Sequence, residues 1–128
     1  MRKSAIQLYD ELCEHFGVCP KLTWVNKVNS AYDEGTHTIE MALTMEQGWK
    51  FLMTHEFAHA LDAKTQPKRK RHHDKNFYEC LLAVIDYAYA DRKAYKWDYE
   101  YPRIQRWALA DGYVRKANRK RKIVRGVN

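Results

Sequence analysis

The chain has 128 residues, of which 45% are apolar and 13% aromatic, enough for one hydrophobic core but not for two lobes with a cleft between them. Its 23 basic and 16 acidic residues give a formal charge of +7, and the mean hydropathy of -0.74 reflects a charged surface rather than a disordered chain. No uncharged run exceeds six residues, so the sequence excludes a membrane-spanning helix.

The first helix is predicted over residues 4–16, where apolar side chains recur on one stripe and Gly17 follows in the C-cap position. Residues 22–28 and 36–43 are rich in β-branched and apolar side chains and predict two strands. Between them, residues 30–35 predict a turn. The two strands are expected to form an antiparallel pair.

Three further helices follow. Thr44 and Gln47 have the spacing of a capping box, and the next helix is apolar most of the way round as far as about residue 63, which predicts a central position. Another apolar helix is expected from Asp74 to about Arg92, and a shorter amphipathic one after Pro102. Together these elements predict an α+β fold with a small, mostly antiparallel sheet packed on helices.

The net charge is concentrated at the end of the chain. Seven basic residues and no acids follow Gly112, so the first 111 residues carry no net charge. We predict one domain over residues 1–111 and a flexible basic tail over residues 112–128.

The N-terminal region and the cysteines indicate the cellular compartment of the protein. Asp10 and Glu11 interrupt the start of the chain before an apolar segment can form, so we expect no secretory signal. Cys13, Cys19 and Cys80 cannot all pair within the chain, and none belongs to a C-x-x-C motif. We expect reduced thiols in a cytoplasmic protein without a zinc ribbon.

The most informative segment is His55-Glu56-Phe57-Ala58-His59, an H-E-x-x-H inside the central helix. Residues four apart on a helix point about 40° apart, so both imidazoles can reach one zinc ion from one face. Glu56 is turned about 100° away, so it can reach a zinc-bound water and serve as a general base. The simpler interpretation, two polar residues on an amphipathic helix, would bury both imidazoles without partners.

A catalytic zinc needs a third protein ligand. The metzincin pattern is excluded because Thr65 occupies the position where it requires histidine. Glu79 lies 20 residues after His59, a separation that a third zinc ligand can have, but a charged residue on a helix surface is the simpler interpretation. His73 is preferred because it opens the next helix with Phe77 one turn later as a packing anchor; His72 could substitute for it.

These residues resemble the SprT-like (Spartan-type) zinc metallopeptidases, whose pattern is H-E-x-x-H, a loop of about a dozen residues, and then H-G-x-x-F. Here the second motif is His73-Asp74-Lys75-Asn76-Phe77, with Asp74 in place of glycine. The resemblance covers residues 39 to about 85. Family members often carry a cysteine-rich zinc ribbon after this core; no cysteine follows Cys80 here, so the resemblance implies a minimal catalytic module.

The resemblance implies a zincin-like core that binds zinc through His55, His59 and His73, with Glu56 as the general base of a peptidase. It also implies that a substrate backbone lies antiparallel along an edge strand, for which we expect Thr38–Leu43.

Two supporting roles stay open. Asp62, one turn after His59, is expected either to accept an imidazole N–H or to be an ordinary surface acid. For an oxyanion donor the sequence does not choose among Tyr78, Tyr87 and Tyr95, and the ion itself could serve.

Two basic clusters suggest nucleic-acid binding, one in the loop before His73 and one in the tail. The residues concerned are Lys68, Arg69, Lys70, Arg71, Arg119, Lys120, Arg121 and Lys122. Aromatic residues after position 95 could stack on unpaired bases; these are Trp97, Tyr99, Tyr101, Trp107 and Tyr113. Spartan-type enzymes act on proteins attached to DNA, so the resemblance points the same way. The alternative is that the aromatics are core and the charges are solvated.

Two other functions fit the same residues. A non-catalytic nucleic-acid-binding or partner-binding protein would close a structural zinc site with a fourth ligand such as His72 or Cys80. A small metal hydrolase acting on a non-peptide amide would share the three histidines. No membrane partner is expected under any of these interpretations.

Overall fold

The computed structural model describes residues 2–42, 48–66 and 73–115. These residues form four α-helices and three β-strands, which confirms the α+β class. In chain order the elements are α1 (Arg2–Phe16), β1 (Lys21–Val25), β2 (Ala31–Asp33), β3 (Thr38–Ala42), α2 (Trp49–Thr65), α3 (Lys75–Ala88), short 3-10 turns at Arg92–Ala94 and Trp97–Tyr99, and α4 (Pro102–Ala110).

The three strands form a mixed sheet in the order β1-β3-β2. β1 runs parallel to β3, with Lys21 opposite Thr38, and β2 runs antiparallel to β3, with Ala31 opposite Glu40. The prediction of a mostly antiparallel sheet is therefore wrong, because the longer pairing is the parallel one. Parallel strands cannot be joined by a tight turn, and the long connection from β1 to β3 has room for β2 on the far side of β3.

The predicted turn at residues 30–35 contains strand β2, and the reversal comes after it. The Gly35 N–H donates to Asp33 Oδ1 at 2.9 Å, and His37 adopts a φ of 52°, in the left-handed region that histidine enters more readily than most residues. The hydroxyl of Ser30 accepts a hydrogen bond from the Ala42 N–H at 3.0 Å. The first bond shapes the turn after β2, and the second ties the residue before β2 to the end of β3.

Helix α2 is the centre of the molecule, as its composition predicts. Every residue from Phe51 to Ala60 is buried, and the helix contacts α1, α3, β2 and β3. Helix α3 ends at Ala88, earlier than predicted, where the Tyr89 N–H donates to the Ile85 carbonyl.

The chain between α3 and α4 folds back onto α2. Trp97 is 2% exposed, and Tyr95 stacks on Phe51 with ring centres 5.1 Å apart. The amide of Gln105 on α4 donates to the carbonyls of Trp97 and Glu100, both at 3.1 Å. This buried segment is therefore fixed by both its side chains and its backbone.

Several predictions fall outside the described residues. These are the capping box of Thr44 and Gln47, most of the charged loop and most of the basic tail. Among the helices that are described, none has the length and apolar character needed to cross a membrane.

Candidate metal centre

Three imidazoles converge between α2 and α3. His55 and His59 lie one turn apart on α2, and His73 lies two residues before α3 begins. The Nε2 atom of His73 is 3.3 Å from Nε2 of His55 and 3.2 Å from Nε2 of His59. One ligand atom from each ring lies within 4.8 Å of the others. The structure thus brings together the three histidines that the sequence singled out.

Two of the three nitrogen separations suit a tetrahedral ion. Nitrogens bound at 2.0–2.1 Å to one tetrahedral zinc lie about 3.3–3.4 Å from each other. The separations of His73 Nε2 from His55 Nε2 and from His59 Nε2 fall at or just below this value. The three side chains are therefore close enough together to hold one small cation.

Phe77 on α3 packs beneath the three rings. Its ring centre lies 4.3 Å from that of His59, in a stacked arrangement, 5.0 Å from His55 and 5.2 Å from His73. The predicted role of Phe77 as a packing anchor is confirmed. The cluster therefore has an apolar floor that keeps the rings together.

The junction between α2 and α3 is fixed by polar contacts. The amide of Asn76 donates to Asp62 Oδ1 and to Thr65 Oγ1, which joins the end of α2 to the start of α3. Asp74 caps α3, since its Oδ1 accepts from the Phe77 N–H at 3.0 Å. Asp62 is 2% exposed, so it is not an ordinary surface acid.

A fully buried carboxylate orients the first histidine. Glu100 Oε2 accepts hydrogen bonds from His55 Nδ1 and from the Tyr95 hydroxyl, each at 2.7 Å. With the His55 proton on Nδ1, the lone pair of Nε2 points at the other two imidazoles. This is the arrangement that a metal-binding histidine needs.

The charge state of this carboxylate follows from its neighbours. Burial raises the pKa of Glu100, but the electrostatic interaction and hydrogen bond with His55 and the hydrogen bond from Tyr95 outweigh it, so the pKa is lowered. Burial and the negative charge of Glu100 raise the pKa of Tyr95 well above its ordinary value. Near neutral pH, Glu100 is therefore an acceptor and Tyr95 a donor.

Glu56 lies on α2 beside His55 and is fully buried. Its negative charge contributes to the raised pKa of Tyr95, so its carboxylate lies within electrostatic range of the buried segment that carries Glu100. A buried carboxylate next to a ligand histidine can exchange a proton with a water held at the site.

A cavity of about 660 Å³ opens beside the three histidines. It is lined by His59 and His73, by Tyr101, and by residues 31–35 of β2 and the turn that follows. The predicted edge strand Thr38–Leu43 is wrong, because β3 lies in the middle of the sheet with partners on both sides. The strand beside the cavity is β2.

Of the alternative ligands, the two that the structure describes, Glu79 and Cys80, do not join the cluster. Glu79 is exposed on α3, and His72 lies outside the described residues. Cys80 is buried, and its Sγ accepts from the Asn76 amide at 4.0 Å. Within the described ranges, the group that could hold a metal ion consists of the three histidines.

The tyrosines proposed as oxyanion donors lie elsewhere. Tyr78 donates to Asp111 Oδ2 at 2.7 Å, and Tyr87 packs against His15 of α1. Tyr95 is buried against Glu100. Tyr101 instead lines the cavity, with its ring centre 4.3 Å from that of His73.

The predicted nucleic-acid contacts are not among the described residues. This holds for Lys68, Arg69, Lys70 and Arg71 in the loop, and for Arg119, Lys120, Arg121 and Lys122 in the tail. Of the aromatics predicted to stack on bases, Trp97 is buried and packs flat against Tyr113, so it belongs to the core. Tyr99 is 37% exposed.

Sequence reasoning missed Glu100, and it named Tyr101 only as a residue that could stack on bases, not as a neighbour of the histidines. They belong to no motif and lie 45 and 46 residues after His55. The one local signal is Pro102, which marks a helix start and restricts the residue before it to an extended conformation.

The chain matches no protein-family model, no curated protein and no solved structure.

Proposed function

We propose that this protein is a zinc-dependent endopeptidase of SprT-like type. The observation that carries the proposal is the convergence of three imidazole Nε2 atoms beside a cavity, with Glu100 holding His55 in the metal-binding tautomer. His55, His59 and His73 would hold the ion. A bound zinc would polarise a peptide carbonyl and lower the pKa of a water toward about 7.

Glu56 serves as the general base. Its carboxylate takes a proton from the water that attacks the peptide carbonyl, and then passes that proton to the amine that leaves. Its position directly after His55, on the helix that carries two of the three histidines, supports this role.

The substrate backbone pairs with β2. Within the described part of the sheet, β2 is hydrogen-bonded only to β3, and residues 31–35 form one side of the cavity. An extended peptide added to this edge would be held by main-chain hydrogen bonds, with little demand on its sequence. Selectivity then depends on the cavity and on how the substrate is brought to the site. Nucleic-acid binding by the basic clusters could bring substrates to the site, and it stays a prediction.

A structural zinc site is the less favoured candidate. It would need a fourth protein ligand, and the described residues supply three. The cavity next to His59 and His73 gives access for a water and a substrate instead.

The test is replacement of Glu56 by glutamine. Glu56→Gln should bind zinc as the wild type does and lose at least about 10²-fold in hydrolysis of fluorescein-labelled casein, because the amide cannot take up a proton. Zinc content is measured by competition with a chromophoric chelator, and activity by peptide release.

Glu79→Gln is the matched control, since Glu79 is exposed on α3 outside the cluster. It should keep both zinc and activity. Full activity in Glu56→Gln would contradict the peptidase mechanism, and loss of zinc from that variant would show that Glu56 is a ligand rather than a base.

A further inference from the structure

A tyrosine beside the third histidine has no role in the chemistry described so far. Tyr101 lines the cavity together with His59 and His73. Its ring centre is 4.3 Å from that of His73, with 34° between the ring planes, and 6.3 Å from that of His55. The ring of Tyr101 therefore lies at the wall of the cavity that His59 and His73 also line.

The backbone of Tyr101 is held in place before any substrate arrives. It follows Glu100, whose carboxylate binds His55, and its own N–H lies 3.4 Å from Glu100 Oε1. Pro102 is the first residue of α4, and Tyr101 has the extended conformation required before proline, with φ −63° and ψ 150°. The Gln105 N–H donates to the Tyr101 carbonyl at 3.0 Å. The backbone of Tyr101 therefore has little conformational entropy left to lose when the side chain takes part in the reaction.

The geometry points to Tyr101 as the residue whose hydroxyl donates a hydrogen bond to the oxyanion formed when water attacks the peptide carbonyl. This inference rests on the proposed peptidase function and adds a catalytic residue to it. A fixed donor of this kind stabilises the charge that develops in the transition state more than it stabilises the bound substrate.

Tyr32 is the competing candidate, because it also lines the cavity. Its hydroxyl is 2.6 Å from His37 Nδ1, within the turn that follows β2. Burial, followed by the charges of Glu34 and Asp33, raises the pKa of Tyr32 to about 12. Its hydroxyl is thus engaged in holding the turn, whereas Tyr101 contacts a ligand histidine.

The experiment compares Tyr101→Phe with Tyr101→Leu. The phenylalanine variant keeps the ring against His73 and removes the hydroxyl, while the leucine variant removes both. Three quantities are measured: kcat and KM on a fluorogenic peptide copied from the best-cleaved site in casein, the zinc dissociation constant, and the dissociation constant of a phosphinic analogue of the same peptide. The phosphinic group mimics the tetrahedral oxyanion, and its binding is followed by calorimetry without turnover.

Tyr101→Phe should lower kcat by about 10- to 10³-fold, leave KM and zinc affinity close to wild type, and weaken phosphinic binding by a similar factor. Tyr101→Leu should show the same loss and in addition bind zinc more weakly. Tyr78→Phe is the control for loss of a hydroxyl outside the cavity, and should keep wild-type kcat.

Three results would overturn the inference. If Tyr101→Phe has wild-type kcat and phosphinic affinity while Glu56→Gln is inactive, Tyr101 is not the oxyanion donor, but the proposed peptidase function is still supported. Equal loss of zinc affinity in Tyr101→Phe and Tyr101→Leu would make Tyr101 a residue that positions His73. Loss of phosphinic binding in Tyr32→Phe but not in Tyr101→Phe would assign the donor to Tyr32. Activity that survives in Glu56→Gln would instead reject the proposed function itself, whatever Tyr101 does.

Discussion

Glu100 shows how one distant carboxylate can define a metal site. It is fully buried, 45 residues after His55 in the chain, and its Oε2 atom accepts from both His55 Nδ1 and the Tyr95 hydroxyl. Two hydrogen bonds to the ionised form offset part of the cost of burying the charge. The carboxylate in turn makes the opposite nitrogen of His55 a better electron-pair donor.

At this residue scale, Glu100→Gln gives a direct test. The amide keeps the size of the side chain but loses the negative charge and one acceptor oxygen, so we expect zinc affinity to fall about 10- to 100-fold. Zinc affinity is measured by chelator competition. Tyr95→Phe, which removes one donor and leaves the His55 contact in place, should have a smaller effect.

A folding defect must be separated from a loss of affinity in this experiment. The near-ultraviolet circular dichroism of metal-free Glu100→Gln should match that of the metal-free wild type. Wild-type zinc affinity in a folded Glu100→Gln would show that the carboxylate does not support the site.

The start of helix α3 is the element that places the third histidine. His73 lies directly before the N-cap residue Asp74, and the Asp74 carboxylate accepts from the Phe77 N–H at 3.0 Å. A carboxylate at this end of a helix also interacts favourably with the helix dipole. Asp74, which stands where the SprT-like pattern has glycine, thus serves as the N-cap of α3.

At the element scale, Asp74→Ala should lower the free energy of unfolding of the metal-free protein by about 1 kcal/mol, because one helix N–H loses its acceptor. Asp74→Asn should retain most of the wild-type stability, since asparagine caps about as well. Unfolding in urea with a chelator present measures both. Equal destabilisation by alanine and asparagine would mean that the negative charge of Asp74, and not its capping hydrogen bond, stabilises the protein.

For the whole molecule, the three histidines join two helices that are separate in sequence. His55 and His59 belong to α2, while His73 precedes α3, so an ion bound to all three cross-links the centre of the fold. A ligand that binds only the folded protein stabilises it by a free energy that grows with the logarithm of the ratio of free ligand to its dissociation constant. Metal binding and folding should therefore be coupled.

Zinc at 100 times its dissociation constant should raise the free energy of unfolding by about 2.7 kcal/mol. For a domain of this size that corresponds to a rise in Tm of roughly 10 °C. Differential scanning calorimetry with and without zinc measures the shift. His59→Ala should abolish it, and His15→Ala, an exposed histidine on α1 outside the cluster, should keep it. An unchanged Tm in the wild type would exclude a zinc site that depends on the fold.

The sequence by itself determined what depends on the local backbone. Helical periodicity places His55 and His59 on one face of a buried helix, and a capping aspartate with an apolar anchor starts the next helix beside His73. Local hydrogen bonding and side-chain spacing fix these features, so they can be read from a few neighbouring residues.

The tertiary structure decided what depends on distant segments. The position of β3 between β1 and β2 makes β2 the strand beside the cavity, and the return of the chain after α3 brings Glu100 and Tyr101 to the histidines. No local pattern specifies these contacts, because strand order and the burial of a lone acid depend on how whole elements pack, and that packing is a property of the complete chain.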